Sequence, residues 1–63
     1  MKTHYDPATD ALYVRFANTR VEASEEVAPG IVLDFDANHR LVAIEVLSAA
    51  SNLAAGAVPA ATR

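Results

Sequence analysis

The feature that most constrains the fold of this chain is a pair of alternating apolar segments on either side of a short polar stretch. The segments are 31–36 (Ile-Val-Leu-Asp-Phe-Asp) and 41–47 (Leu-Val-Ala-Ile-Glu-Val-Leu), and the polar stretch is 37–40 (Ala-Asn-His-Arg). A period of two is typical of a β-strand, because successive side chains point to opposite faces of the sheet. The sequence therefore predicts an antiparallel hairpin over residues 31–47.

The register of this hairpin follows from a two-residue turn at Asn38-His39, since both residue types tolerate a positive φ. With that turn, one face contains only apolar pairs: Phe35 with Val42, Leu33 with Ile44, and Ile31 with Val46. A slip of one residue would mix the two faces, so we expect a single register.

A second hairpin is predicted nearer the N-terminus, where apolar residues alternate as far as Phe16. Its turn lies in 6–10 (Asp-Pro-Ala-Thr-Asp), because proline favours a turn and the flanking aspartates accept hydrogen bonds from nearby backbone N–H groups. The expected pairs are Tyr5 with Leu12 and Thr3 with Val14.

Between the hairpins, segment 21–27 has a weaker alternation that Glu25 interrupts. We interpret it as an edge strand with an inward or bulged charge, a common protection of sheet edges. Pro29-Gly30 then predicts a type II turn.

After Leu47 the pattern becomes helical. Ser48 is a candidate N-cap, and Gly56 is a candidate end of the helix. Small and apolar residues fall on one helical stripe: Ala49, Ala50, Leu53, Ala54 and Ala57. Residues 56–63 are expected to be a disordered tail.

These elements predict an α+β fold that is mostly β, in one small domain over residues 1–55. The expected architecture is an antiparallel meander of four to five strands in hairpins, with one short C-terminal helix. A chain of 63 residues has room for one domain only, and it contains no cysteine with which to form a disulfide. A second copy or a small protein partner is therefore the expected source of additional buried surface.

The charge of the chain disfavours several kinds of partner. It has eight acidic and five basic residues and a net charge of -3, with no basic run, so neither nucleic acid nor a membrane surface is expected as a ligand. The first residues contain no apolar stretch of signal-peptide length, and we expect a cytoplasmic location.

Three carboxylates are the only candidates for chemistry. Asp34, Asp36 and Glu45 share one side of the predicted hairpin, where they would suit a hard cation such as Mg²⁺ or a metal-assisted reaction. The alternative is that alternation simply places them on a solvated sheet face. Motifs for a serine triad, a two-histidine metal site or a glycine-rich phosphate loop are absent from the sequence, so we predict no cofactor and do not favour an enzyme.

One sheet face carries too many apolar residues for a solvated surface. It combines aromatic, basic, aliphatic and acidic side chains: Tyr13, Arg15, Val32, Asp34 and Glu45. We call these five residues the mixed face and interpret it as a candidate interaction face, because interfaces have this composition. The alternative is that the C-terminal helix or the edge segment covers part of it.

The chain also resembles a small bacterial family of uncharacterised domains, domain of unknown function 2283. The resemblance rests on 5–7 (Tyr-Asp-Pro), 10–14 (Asp-Ala-Leu-Tyr-Val), 29–36, 41–47 and 50–51. The sequence departs from the family at His39, where glycine is usual, and in the alanine-rich tail. The resemblance implies a stand-alone cytoplasmic protein without established catalytic residues. Because some such genes lie beside those of small toxin-like proteins, it also implies an antitoxin-like partner role.

Overall fold

The structure, a computed structural model, describes residues 1–57. Within them the chain forms five strands and one helix: β1 Lys2–Asp6, β2 Ala11–Arg15, β3 Ala23–Ala28, β4 Ile31–Phe35, β5 Leu41–Val46 and α1 Ala49–Asn52. All five strands belong to one sheet in which each neighbouring pair is antiparallel. The predicted class, α+β and mostly β with a short C-terminal helix, is confirmed.

The order of the strands differs from that of a meander. The sheet runs β1-β2-β5-β4-β3, so β5 lies in the centre and β3 lies at an edge. Burial explains this order. Strand β5 contains the buried residues Val42, Ala43 and Val46, whereas every residue of β3 is exposed. The most apolar strand takes the position with a neighbour on each side, and the strand with two glutamates takes an edge.

The first hairpin has the predicted register, with Tyr5 opposite Leu12 and Thr3 opposite Val14. In its turn, Asp6 Oδ1 accepts a hydrogen bond from the Ala8 N–H at 3.0 Å, which is the local role expected of an aspartate before proline. The last turn residue adopts a left-handed backbone, with φ of 55° at Asp10.

The second hairpin is confirmed for the pairs Leu33–Ile44 and Ile31–Val46. The expected pairing of Phe35 with Val42 is wrong, because Phe35 lies opposite Leu41 and Asp34 opposite Ala43, which leaves one extra residue in β5. Val42, the extra residue, is fully buried.

The turn of this hairpin is also wider than predicted. Asp36 starts it: its backbone oxygen accepts from the His39 N–H at 3.0 Å, and its Oδ1 accepts from the Asn38 and Arg40 N–H groups at 2.8 and 2.9 Å. The two-residue turn was wrong because the aspartate side chain stabilises a longer one. Only His39 has a positive φ there, 62°, at the position where the resembling family usually has glycine.

Edge strand β3 has the predicted inward charge and, at an uncharged residue, a bulge that was not predicted. Glu25 lies opposite Leu33, so its side chain shares the apolar side of the sheet, and Val27 is an extra residue between two paired positions. Gly30 has φ of 81° after Pro29, as the third residue of a type II turn requires.

Helix α1 is a single turn and ends earlier than the helical stripe predicts, because Leu53 already has an extended backbone. Its cap also differs. Ser48 is left-handed with φ of 50° and makes no side-chain capping hydrogen bond. Asp10 replaces it: the backbone oxygen accepts from the Ala49 N–H at 2.9 Å, and the carboxylate accepts from the Ala50 N–H at 3.1 and 3.2 Å. Most of the predicted tail, 58–63, lies outside the described residues.

The small core lies where α1 packs on one side of the sheet. Val46 and Ala49 are buried there, and partly buried residues surround them: Tyr5, Leu12, Ile31, Ile44 and Leu53. Among residues 1–57, the largest fully buried side chain is a valine, Val42. The sheet is therefore a single layer, and its other side carries the mixed face.

Candidate functional site

The five residues of the mixed face lie together, as the sequence predicts. The register sets Tyr13 opposite Glu45 and Glu45 opposite Val32, which gives one row across β2, β5 and β4. In the neighbouring row, Ala43 lies between Arg15 and Asp34. Directly opposite residues of an antiparallel pair point to the same face, so all five side chains share one surface.

Helix α1 does not cover this surface. It packs against Val46, whose side chain points to the opposite side from that of Glu45 because the two are adjacent in β5. Tyr13, Arg15, Val32 and Glu45 are partly exposed. The expectation that the C-terminal helix covers part of the mixed face is therefore wrong for the helix that the structure describes.

Asp34 is the exception to this exposure, with only 2% of its surface accessible. Ser24, in edge strand β3, donates a hydrogen bond from Oγ to Asp34 Oδ1 at 2.6 Å. The carboxyl group of Asp34 also lies beside that of Glu45, close enough for hydrogen bonding to raise the pKa of Glu45. The edge segment thus contributes a hydroxyl to the mixed face and helps to bury its central carboxylate.

The hydrogen bond with Asp34 changes the ionisation of Glu45. That hydrogen bond, partial burial and the charge of Asp34 all raise the pKa of Glu45 above its usual value of 4.5. Each cause favours the neutral carboxylic acid over the carboxylate. Glu45 therefore binds a proton more readily than a solvated glutamate does.

The basic end of the mixed face is held in place by two hydrogen bonds. Arg15 Nη1 donates to the Tyr13 hydroxyl at 2.9 Å, and Nη2 donates to the backbone oxygen of Thr19 at 2.8 Å. Arg15 and Asp34 lie two strands apart on either side of Ala43, a separation of about 10 Å between their backbones. The guanidinium and the carboxyl pair form two separate ends of one surface.

The three carboxylates proposed for a cation do not converge. Asp34 and Glu45 are adjacent, but Asp36 lies in the hairpin turn, where its Oδ1 accepts two backbone N–H groups. Across residues 1–57, no group of three histidine, aspartate or glutamate side chains is placed to hold a metal ion. His39 lies apart, stacked on the Phe35 ring with centroids 4.5 Å apart. The metal hypothesis stays a prediction, and it gains no support from this geometry.

Asp10 is a structural centre that the sequence patterns missed. Besides capping α1, its Oδ1 accepts a hydrogen bond from the Tyr5 hydroxyl at 2.6 Å. One residue thus joins the first hairpin to the C-terminal helix, 40 positions away. Its only sequence signal is an aspartate at the end of a turn, a position where this residue type tolerates a left-handed backbone.

Other features of the described residues are modest. A pocket of about 100 Å³ lies where β1 and β2 meet, and it is lined by Met1, Lys2, Arg15, Phe16, Ala17 and Asn18. Pockets that bind drug-sized ligands are several times larger, about 300 Å³ or more. Residues 1–57 contain no helix with the length and apolar character needed to cross a membrane.

Comparison with known proteins identifies a family. No curated protein and no solved structure matches the chain. A family model described as protein of unknown function (DUF2283) matches residues 2–49, which include all five strands and the first residue of α1. The sequence resemblance noted above is therefore confirmed over most of the chain, and this protein belongs to the DUF2283 family.

Proposed function

We propose that this chain is a protein-interaction module whose mixed face binds a partner protein. The observation that carries the proposal is the open position of this face: α1 packs on the other side of the sheet, and four of the five residues remain partly exposed. A single-layer sheet with so small a core gains stability whenever a second protein covers a face.

The composition and order of the mixed face suit protein binding. Tyrosine and arginine are enriched at interfaces and among the residues that contribute most to affinity. The hydrogen bonds of Arg15 to Tyr13 and to the Thr19 backbone fix both side chains before any partner arrives. Less side-chain entropy is then lost on binding.

The acidic end of the face defines the chemistry of the partner. Glu45 and Asp34 place two carboxyl groups side by side, and the whole chain has a net charge of -3. A lysine or arginine of a partner would form a hydrogen-bonded ion pair with the two carboxyl groups. We therefore propose a partner surface that presents a basic side chain next to apolar ones. The antitoxin-like role implied by the family resemblance is one instance of such binding.

The test is calorimetric titration with the proteins encoded beside this gene. Tyr13→Ala and Glu45→Lys are each expected to weaken binding by about tenfold or more, since an interface anchor is worth at least about 1.4 kcal/mol. Ser51→Ala, an exposed position in α1, is the matched control and is expected to bind normally. Equal affinity for all three variants would contradict the proposal.

A further inference from the structure

Strand β1 forms an open edge of the sheet. It is first in the strand order, it pairs with β2 without a register shift, and it contains no proline. Lys2, Thr3 and His4 are exposed. The outward-facing backbone groups of a regular edge strand are a template on which another strand can pair.

The opposite edge, β3, is protected against the same pairing. It has an inward glutamate, Glu25, and an extra residue, Val27, that interrupts its ladder. Antiparallel pairing of two β3 strands centred on Glu25 or Glu26 would also place that glutamate opposite its own copy. Like charges directly opposite each other destabilise a sheet. The sheet thus has one protected and one unprotected edge.

Symmetry limits how two β1 strands can pair. A two-fold axis perpendicular to the sheet keeps the faces of both copies aligned, so that the pairing is centred on one residue. Centring on Tyr5 brings Pro7, which has no N–H, opposite Thr3. Centring on Thr3 places Lys2 opposite His4, and these two residues do not have opposite charges.

Centring on His4 uses all five residues of the strand. Lys2 then lies opposite Asp6 at both ends, Thr3 lies opposite Tyr5, and His4 lies opposite its own copy. Lys2 makes no ion pair with the described residues, and Asp6 uses only Oδ1, for the Ala8 N–H. The strand is therefore complementary in charge to an inverted copy of itself.

We propose that two copies of this chain associate through β1, antiparallel and centred on His4, to form one continuous sheet of ten strands, five from each copy. A five-residue pairing is a small interface, so the dimer is weak and concentration-dependent. Edge pairing covers neither face of the sheet, and the dimer forms whether or not the mixed face binds a partner.

A single cysteine tests the register. The sequence has no cysteine, so His4→Cys introduces the only thiol. Directly opposite residues of antiparallel strands are about 4.5–5.5 Å apart between Cα atoms, within the range of disulfides, about 4.4–6.8 Å. Under oxidising conditions His4→Cys is expected to form a disulfide-linked dimer. The matched control Lys2→Cys, whose two copies would lie at opposite ends of the pairing, should stay largely monomeric.

Charge reversal tests the complementarity without cross-linking. Lys2→Asp and Asp6→Lys each place like charges opposite each other, so each variant alone is expected to lose the concentration-dependent dimer in sedimentation velocity. An equimolar mixture pairs an acidic strand with a basic one and is expected to recover it. Circular dichroism of each variant checks that the fold is retained.

The outcomes separate this dimer from binding at the mixed face. Glu45→Lys lies two strands from β1 and should dimerise normally, even where it no longer binds a partner protein. A monomeric wild type at millimolar concentration would overturn the edge dimer. Equal cross-linking of His4→Cys and Lys2→Cys, or no recovery on mixing the charge variants, would overturn it too. Growth into open-ended assemblies would show that β3 also pairs, which contradicts a closed dimer.

Discussion

Glu45 and Asp34 illustrate how a single residue pair shapes the mixed face. The two carboxyl groups are adjacent on a partly buried surface, and the hydrogen bond to Asp34, burial and the charge of Asp34 all raise the pKa of Glu45. Ser24 adds a third group through its hydrogen bond to Asp34. The acidic end of the face is thereby ordered by contacts within the chain.

The raised pKa of Glu45 gives stability a defined pH dependence. The folded chain keeps the Glu45 proton at pH values where the unfolded chain has lost it, so this contribution is complete below the usual value of 4.5. It is lost as the pH rises through the raised pKa. Glu45→Gln keeps a donor toward Asp34 and cannot ionise. We expect the variant to be more stable than the wild type at neutral pH, by on the order of 1 kcal/mol.

Urea unfolding at neutral pH and at about pH 4 checks this prediction. The difference between wild type and Glu45→Gln should shrink at the lower pH, because Glu45 is then protonated in both states. Glu22→Gln, which removes an exposed carboxylate 3.4 Å from Arg20, is the control and should show no gain at neutral pH. A Glu45→Gln variant that is less stable at neutral pH would argue against the raised pKa of Glu45.

At the scale of single elements, α1 depends on residues outside itself. A single helical turn is not stable alone, and here its N-terminal N–H groups bond to Asp10. Asp10→Ala is expected to destabilise the chain by about 1–2 kcal/mol, because it removes a helix cap and strains a left-handed position. Hydrogen exchange at the Ala49 and Ala50 amides should accelerate.

Ser48→Gly is the matched control for Asp10→Ala. Ser48 occupies the cap position but makes no side-chain hydrogen bond, and its backbone is already left-handed. Glycine relieves that conformation, so the variant should be as stable as the wild type or slightly more stable. If Ser48→Gly destabilises the chain as much as Asp10→Ala, the serine rather than the aspartate caps the helix.

Gly30 connects the β3–β4 turn to the same helix. A Cβ at this position would lie 2.7 Å from Asn52 Nδ2 and 3.0 Å from the Leu47 oxygen, which are themselves joined by a hydrogen bond. Gly56 has a similar positive φ, 87°, but a Cβ there would meet nothing within 4 Å. Both Gly→Ala substitutions cost the left-handed strain of about 1–2 kcal/mol.

Gly30→Ala is expected to be the more destabilising of the two, because only it adds a collision. Thermal unfolding of the two variants in parallel measures the difference. Equal losses of stability would mean that Asn52 moves away freely and that its hydrogen bonds to Leu47 and Pro29 contribute little.

For the whole molecule, the two sheet edges determine which assemblies are possible. Glu25→Val with deletion of Val27 would remove both protective features of β3. We expect this variant to pass from monomers and dimers to open-ended assemblies, because both edges would then accept a strand. Sedimentation velocity and thioflavin fluorescence measure the change. A variant that still stops at the dimer would show that the charge of Glu26 protects the edge by itself.

The sequence was sufficient for the strands, the hairpins and the side on which each mixed-face residue lies, because a period of two is a local signal. It was insufficient where the structure depends on a contact between residues far apart in the sequence. Asp10 caps a helix 40 positions away, and Val42 bulges within β5, a strand paired on both sides. The strand order likewise depends on the pairing of β2 with β5 rather than with β3, the next strand in the sequence. Alternation of apolar and polar residues carries no information about such long-range contacts.

The pairing of β2 with β5 has a consequence for how the chain folds. Residues 2–15 and 23–46 otherwise pair only locally, and this one ladder joins them across segment 16–22. Local hairpins form within about 1–10 μs, whereas β2 and β5 pair across the greatest sequence separation in the sheet, and non-local pairing is slow. The union of the two halves is therefore the slow step. A chain cut between Phe16 and Arg20 should still reassemble from its two fragments, because the β2–β5 ladder and the hydrogen bonds of Asp10 to α1 join them.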